Sequence, residues 1–345
     1  MICGHGSQRA ALRAALVSGR APHALILSGP RQVGKTTLAR GLARALLCES
    51  PVEGDACEQC VACRLFTTGA HPDFEAVRAV LIRDRSGPGD QDAPRGRYDP
   101  APEAMTSAVL PIDLIRPLRE RASRRALRGG RKVVLIAGAD RLTDEAQDAL
   151  LKTIEEPIAG MTVLLVAENL ERLHATIRSR CWTLPLGLVP DDDLAHWLTE
   201  AHGLARAEAR ALAARAEGRP GAAWRRWHKP ELRALHHRLD ELARMLDGYP
   251  PVMALRHAEQ FEKLARELFE AECASDPQPV VLAAGHVTKV QRSANIHLID
   301  ELAARMGRRQ DAARLDALLE AKHHLLRNAN LRLTLDVLFL RCAGT

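Results

Sequence analysis

The chain has 345 residues, 46 % hydrophobic and 27 % charged, with a formal net charge of +6. That length calls for two or three domains, each with its own core, and the composition excludes a disordered chain. No apolar run approaches the ~20 residues of a membrane span and the first residues lack a secretory apolar region, so a cytoplasmic protein without membrane contact is expected.

In chain order, a helix is predicted over residues 7–18 and a short apolar strand over residues 23–28. Residues 29–36 then read Gly-Pro-Arg-Gln-Val-Gly-Lys-Thr, a complete phosphate-binding loop. Gly29 and Gly34 allow the tight turn that aims backbone N–H groups at phosphate oxygens. Lys35 reaches the outer phosphates, and the Thr36 hydroxyl is placed to ligate magnesium at a helix N-terminus, with Thr37 beside it. The helix that follows, residues 36–47, sets Leu38, Leu42 and Leu46 on one face.

Cys48, Cys57, Cys60 and Cys63 form C-x8-C-x2-C-x2-C. Four thiols this close in a reducing compartment suit a structural, tetrahedral zinc better than disulfides. An iron–sulfur cluster is the chemical rival, although the ferredoxin-like spacing before Pro is absent, and free thiols are the plain alternative.

A second strand is expected over residues 73–80, followed by a Gly-, Pro-, Asp- and Arg-rich stretch, residues 84–103, that reads as a mobile insertion. Eight basic residues between Arg116 and Lys132 face one acid, Glu120, and are expected on one helix. Such a face is either a solvated surface or a contact for DNA phosphates. The next strand, from Lys132, carries Ala137 and Gly138 where a nucleotide hydrolase needs a metal-binding acid pair. Asp140 lies further along and reads as the cap or lead-in of the next helix, with a metal role the alternative. Thr143 opens that helix and Pro157 stops it. Apolar strands follow over residues 161–167 and 182–186, and alternation of strands with helices implies a parallel sheet covered on both faces. From Asp191 the strands vanish, giving a small helical unit to about Trp227 and a helical remainder with breaks near residues 249–251 and 276–277.

Leu-Leu-Lys-Thr-Ile-Glu-Glu-Pro at residues 150–157 and Ile-Arg-Ser-Arg-Cys at residues 177–181, with the cysteine quartet after a phosphate loop, resemble the clamp-loader branch of the AAA+ proteins. Within it the chain is similar to non-motor subunits of the delta-prime type in bacterial DNA polymerase III, and the segment from Asn328 to Leu340 resembles the helical collar of such loaders. The resemblance implies an α/β AAA+ domain with the zinc module at 48–63 (residues 1–188), a helical lid (189–228) and an all-α collar (229–345). It implies a hetero-pentamer with gamma or tau motors and a delta subunit, acting on the sliding clamp and primed DNA. It also makes Arg180 an arginine finger supplied in trans to a neighbour's ATP. The motor subunits carry the acid pair missing at Ala137 and Gly138, and a lid arginine where this chain has Gly221. The chain is therefore expected to hold ATP or ADP, if any nucleotide, without hydrolysing it. A gamma-like ATPase and a zinc-containing DNA-binding regulator are the competing readings.

Overall fold

The computed structural model describes residues 2–78, 80–82, 98–100, 109–123, 125–128, 130–246, 248–273, 287–308 and 311–343. They fall into two compact units, one ending at Trp224 and the other beginning at Arg225.

The first unit opens with helix α1 (Gly6–Val17), then β1 (Ala24–Ser28), α2 (Lys35–Leu47), α3 (Val61–Thr67) and β2 (Phe74–Arg78). After a small antiparallel pair, β3 (Val80–Ile82) with β4 (Tyr98–Pro100), come α4 (Ile112–Ser123), β5 (Lys132–Ala137), α5 (Asp144–Glu155), β6 (Met161–Ala167), α6 (Ala175–Arg180) and β7 (Trp182–Pro185). The five long strands form one parallel sheet in the order β2-β5-β6-β1-β7. Every residue of β1 and β6 is buried, so both faces of the sheet are covered, and their unbroken apolar runs are what such strands require. Leu38, Leu42 and Leu46 of α2 enter a core with Leu25, Leu27, Leu135 and Leu164. The unit closes with α7 (Asp191–His202), α8 (Arg206–Ala216) and the start of α9 (Pro220–His228).

Three expectations are corrected. The eight basic residues do not share a helix. α4 contains Pro117 and ends at Ser123, Arg125 and Arg128 follow in a turn, and Lys132 already belongs to β5. That turn is held by Asp73, whose carboxylate accepts the N–H groups of Leu127 (2.9 Å) and Arg128 (2.7 Å). Asp140 lies in the short 3-10 turn Ala139–Arg141 that leads into α5, as its lead-in reading expects, but it neither caps α5 nor stands free for a metal. Thr143 is the cap, accepting from the N–H of Ala146 at 3.4 Å, and Asp140 is buried, accepting from the N–H groups of Glu168 (3.2 Å) and Asn169 (3.4 Å). Finally, residues 98–100 pair with β3, while the rest of the 84–103 stretch lies outside the described residues.

The second unit is helical: α10 (Pro230–Met245), α11 (Ala254–Cys273), α12 (Val287–Arg308), α13 (Ala312–Leu326) and α14 (Leu331–Ala343). Its core holds Phe261, Phe269 and Phe339, with the Phe261 and Phe339 rings 5.5 Å apart. A buried ionic cluster lies within it. Glu301 accepts from Arg226 (3.1 Å) and Arg305 (2.9 Å), and Arg305 reaches Asp240 at 2.9 Å. Burial raises the pKa of the Glu301 carboxyl, but the two guanidinium groups outweigh it and hold the group far below the ordinary glutamate range.

Glu301→Gln should therefore cost about 3–5 kcal/mol, because it strips charge from one side of buried ions that remain. Because the folded pKa lies below the unfolded one, the stabilisation is complete above the unfolded value of about 4.3 and is lost as pH falls below it. Urea unfolding of wild type and variant at pH 7 and pH 4 checks both points: the gap between them should narrow at the lower pH.

Candidate functional site

The phosphate loop follows β1 at the C-terminal end of the sheet, the usual place for ligands in parallel α/β folds. Gly29 (φ 139°) and Gly34 (φ 103°) adopt conformations that favour glycine. Gly29 is constrained twice, since a Cβ there would stand 2.0 Å from the carbonyl oxygen of Leu186. Lys35 is buried, and its ammonium donates to the carbonyls of Gly29 and Pro30, both at 2.6 Å. Two more carbonyls of the loop are engaged: Gln32 accepts the N–H of Gly221 at 2.9 Å, and the His5 ring lies 2.9 Å from the Val33 oxygen. Thr36 is half-buried and Thr37 exposed at the start of α2.

α9 thus meets the loop at Gly221. A Cβ there would lie 3.1 Å from both Cβ and O of Gln32, so residue 221 is held close to the loop backbone. Sequence pattern alone does not reveal that contact, nor the ion pair between Arg31 of the loop and Glu168 at the end of β6 (3.4 Å).

Two strands away in the sheet, beyond β6, β5 ends at Ala137, and Gly138 has φ 80°. A Cβ on Gly138 would lie 3.5 Å from Cδ of Arg141, so the stem of a basic residue approaches the position of the absent acid. With the Asp140 carboxylate committed to two backbone N–H groups, neither it nor residues 137 and 138 offers a free carboxylate for magnesium.

Arg180 sits elsewhere. β7 runs parallel to β1 with Trp182 beside Leu25 and Pro185 beside Ser28. Arg180 therefore precedes the N-terminal end of the edge strand, whereas the phosphate loop leaves the C-terminal end of β1. The paired part of the strands already separates them by about 10 Å at about 3.3 Å per residue. The guanidinium is half-exposed. Its Nε lies 3.0 Å from Oε1 of Glu155 at the end of α5, and Nη1 donates to the carbonyl of Thr176 at 3.2 Å. Trp182, two residues on, is exposed as well.

The four cysteines converge. The Sγ atoms of Cys48, Cys57, Cys60 and Cys63 all lie within 4.8 Å of one another, and those of Cys48 and Cys60 are 3.9 Å apart. A tetrahedral zinc with bonds near 2.3 Å needs sulfur atoms about 3.8 Å apart, so the donor set fits. Cys48 ends α2 and Cys60 caps α3, so both ends of the cysteine loop are anchored in helices. Backbone N–H groups of Cys57, Cys60 and Cys63 donate to the sulfurs of Cys48, Cys57 and Cys60 at 3.3, 3.3 and 3.4 Å. Burial works against ionisation at Cys60, yet donated N–H groups bring its pKa down to about 6, while burial and the neighbouring thiols push Cys63 up to about 12. The cluster resists holding four thiolates by itself, and a dication at its centre relieves that repulsion.

A family model described as "DNA polymerase III, delta subunit" matches residues 4–189, more than half of the chain. The chain belongs to that family. The match spans the phosphate loop, the cysteine cluster and Arg180. DNA polymerase III subunit delta' of Escherichia coli is 28 % identical over 334 residues, covering 91 % of this chain and 93 % of that protein. The subunit of the same name from Pseudomonas aeruginosa is 35 % identical over 167 residues, 48 % of this chain and 44 % of the relative. A gamma subunit of Buchnera aphidicola from Acyrthosiphon pisum is 29 % identical over 180 residues, 52 % of this chain and 42 % of that protein. Among the described residues no helix is long and apolar enough to cross a membrane.

Proposed function

We propose that this chain is a delta-prime-type, non-motor subunit of a bacterial DNA polymerase III clamp loader. It works in the cytoplasm beside gamma or tau motors and a delta subunit in a hetero-pentamer that places the sliding clamp on primed DNA. Residues 1–188 form its AAA+ domain, 189–228 the lid and 229–345 the collar. The observation that carries this reading is the division of a hydrolytic site into halves on one chain. A phosphate loop shares its sheet with a strand, β5, that ends without the acid pair, while an exposed arginine waits at the opposite end of the sheet. That separation supports service in trans, because Arg180 is remote from its own phosphate loop and therefore suited to a neighbour's. An exposed Trp182 next to it suits a protein contact.

The second unit supports assembly. Leu333, Val337 and Leu340 recur at i, i+4 and i+7 on α14 and are all exposed, an apolar stripe on an outer helix. The cysteine cluster holds one structural zinc, with Cys48, Cys57, Cys60 and Cys63 as its ligands and no position left open for catalysis. Gly29, Gly34, Lys35, Thr36 and Thr37 bind ATP or ADP without turnover. Binding requires Lys35 to exchange its two loop carbonyls for phosphate oxygens.

Two measurements on the purified chain separate this reading from a gamma-like motor. Steady-state ATP hydrolysis should stay at background, because nothing at residues 137 and 138 positions magnesium and water. Titration with a fluorescent ATP analogue should show binding that Lys35→Ala weakens by about tenfold or more, the loss of one charge-assisted contact. Robust turnover abolished by Lys35→Ala would overturn the non-motor assignment. Failure to co-elute with motor and delta subunits would favour the DNA-binding regulator.

A further inference from the structure

We infer that Glu155 is a positioning residue for Arg180, fixing the guanidinium in the orientation in which it meets a neighbouring subunit's nucleotide. The inference rests on the trans role proposed above and adds a second residue to it.

Three observations carry it. First, the carboxylate and guanidinium are held by different elements: Glu155 closes α5 and Arg180 closes α6, and their Oε1 and Nε atoms lie 3.0 Å apart. Second, α5 gains no electrostatic stability from this acid. A carboxylate in the last turn opposes the negative end of the helix macrodipole, so the helix's own charge pattern does not account for it. Third, two of the three guanidinium nitrogens are held within the chain and one is left over. Nε faces Glu155 and Nη1 donates to the Thr176 carbonyl at 3.2 Å and the Ser179 hydroxyl at 3.4 Å, while Nη2 has no bond to any of the described residues. A flexible arginine is thereby anchored at two nitrogens and presents the third, Nη2.

The pair cannot be a lock that withholds the finger. With side chains 43 % and 41 % exposed, it is a surface ion pair of small net strength, easily outweighed by the charge of a nucleotide's terminal phosphates. Its effect is on geometry, and geometry is what an arginine finger depends on, since misplacement by about 1 Å can lower a rate about 100-fold.

The test uses the complex reconstituted from this chain with motor and delta subunits, stimulated by clamp and primed DNA. Arg180→Ala defines the portion of the ATPase that depends on the finger. Glu155→Ala should remove most of that portion through kcat, with KM for ATP unchanged. It should cause no further loss when added to Arg180→Ala. Glu155→Gln keeps the length and packing but not the charge, and should behave like Glu155→Ala. The isolated chain's Tm should move by no more than about 3 °C in either variant, as expected for an exposed pair.

An unchanged or faster ATPase in Glu155→Ala overturns the inference and leaves the finger in place. So does rescue by Gln, or an equal loss in the Arg180→Ala background, either of which assigns Glu155 to packing. A silent Arg180→Ala removes the finger and the inference with it.

Discussion

Arg180→Ala is expected to leave the chain folded and able to join the loader, yet to slow hydrolysis at one motor site by about 10³, or about 4 kcal/mol of transition-state stabilisation. The chain tolerates the change because the side chain contributes little to its own core. It is half-exposed, its contact with Glu155 is a surface ion pair, and its hydrogen bond to Thr176 returns to the same short helix. The neighbour does not tolerate it, because charge accumulating on a transferring phosphoryl group loses a fixed cation. Lysine in its place should rescue poorly, since an ammonium lacks the planar fork that grips two oxygens at once. Clamp- and DNA-stimulated ATPase of the assembled complex, with incorporation verified by size, is the measurement. Only the part due to one site should vanish. Full activity in a complex that demonstrably contains Arg180→Ala would reduce the residue to a structural pairing with Glu155.

What the sequence reveals of this site, and what it conceals, follows the distance over which each feature is determined. Gly29, Gly34 and Lys35 are legible because every position of the loop answers a local demand, and the strand before it and the helix after it stand in the required order. The buried strands β1 and β6 announce themselves as unbroken apolar runs. The cysteines are legible from spacing, and their sulfurs converge as the spacing requires. By contrast, Gly221 and Gln32 meet across 189 positions of sequence, Glu155 and Arg180 across 25, and no periodicity encodes either contact. Asp140 is legible as the lead-in of α5, while its hydrogen-bond partners are not. An acid just before a helix is a good cap on local grounds, but Thr143 takes that role and the buried carboxylate instead ties two N–H groups at the end of β6. The basic stretch is not one helix because charge says nothing of where a helix stops: α4 runs through Pro117 and ends at Ser123, and Lys132 already opens β5.

Cys60→Ser should release the zinc and loosen the whole segment from Cys48 to Cys63. Cys60 would bind the metal through its thiolate, and it caps α3 by accepting the N–H of Cys63, so its loss should remove a ligand and a helix cap together. Serine can restore the cap, which makes the substitution a test of the metal and not of the helix. The ion pairs that dock this loop, Arg13 with Asp55, Arg44 with Glu58 at 2.5 Å and Arg128 with Glu49 at 2.8 Å, involve partly exposed side chains and cannot replace the metal. Loss of a structural metal belongs among the large single-site effects, so unfolding of the first unit should become easier by about 4 kcal/mol or more. Because Cys48 closes the helix that begins at Lys35, amide exchange should quicken first in the loop and the last turn of α2 and reach the phosphate loop only weakly. Wild-type protein purified without chelator should carry one zinc per chain by elemental analysis and lose it on acidification, as thiolates protonate. Sub-stoichiometric zinc in that protein, or equal stability of Cys60→Ser and wild type, would leave four neighbouring thiols with no metal to hold.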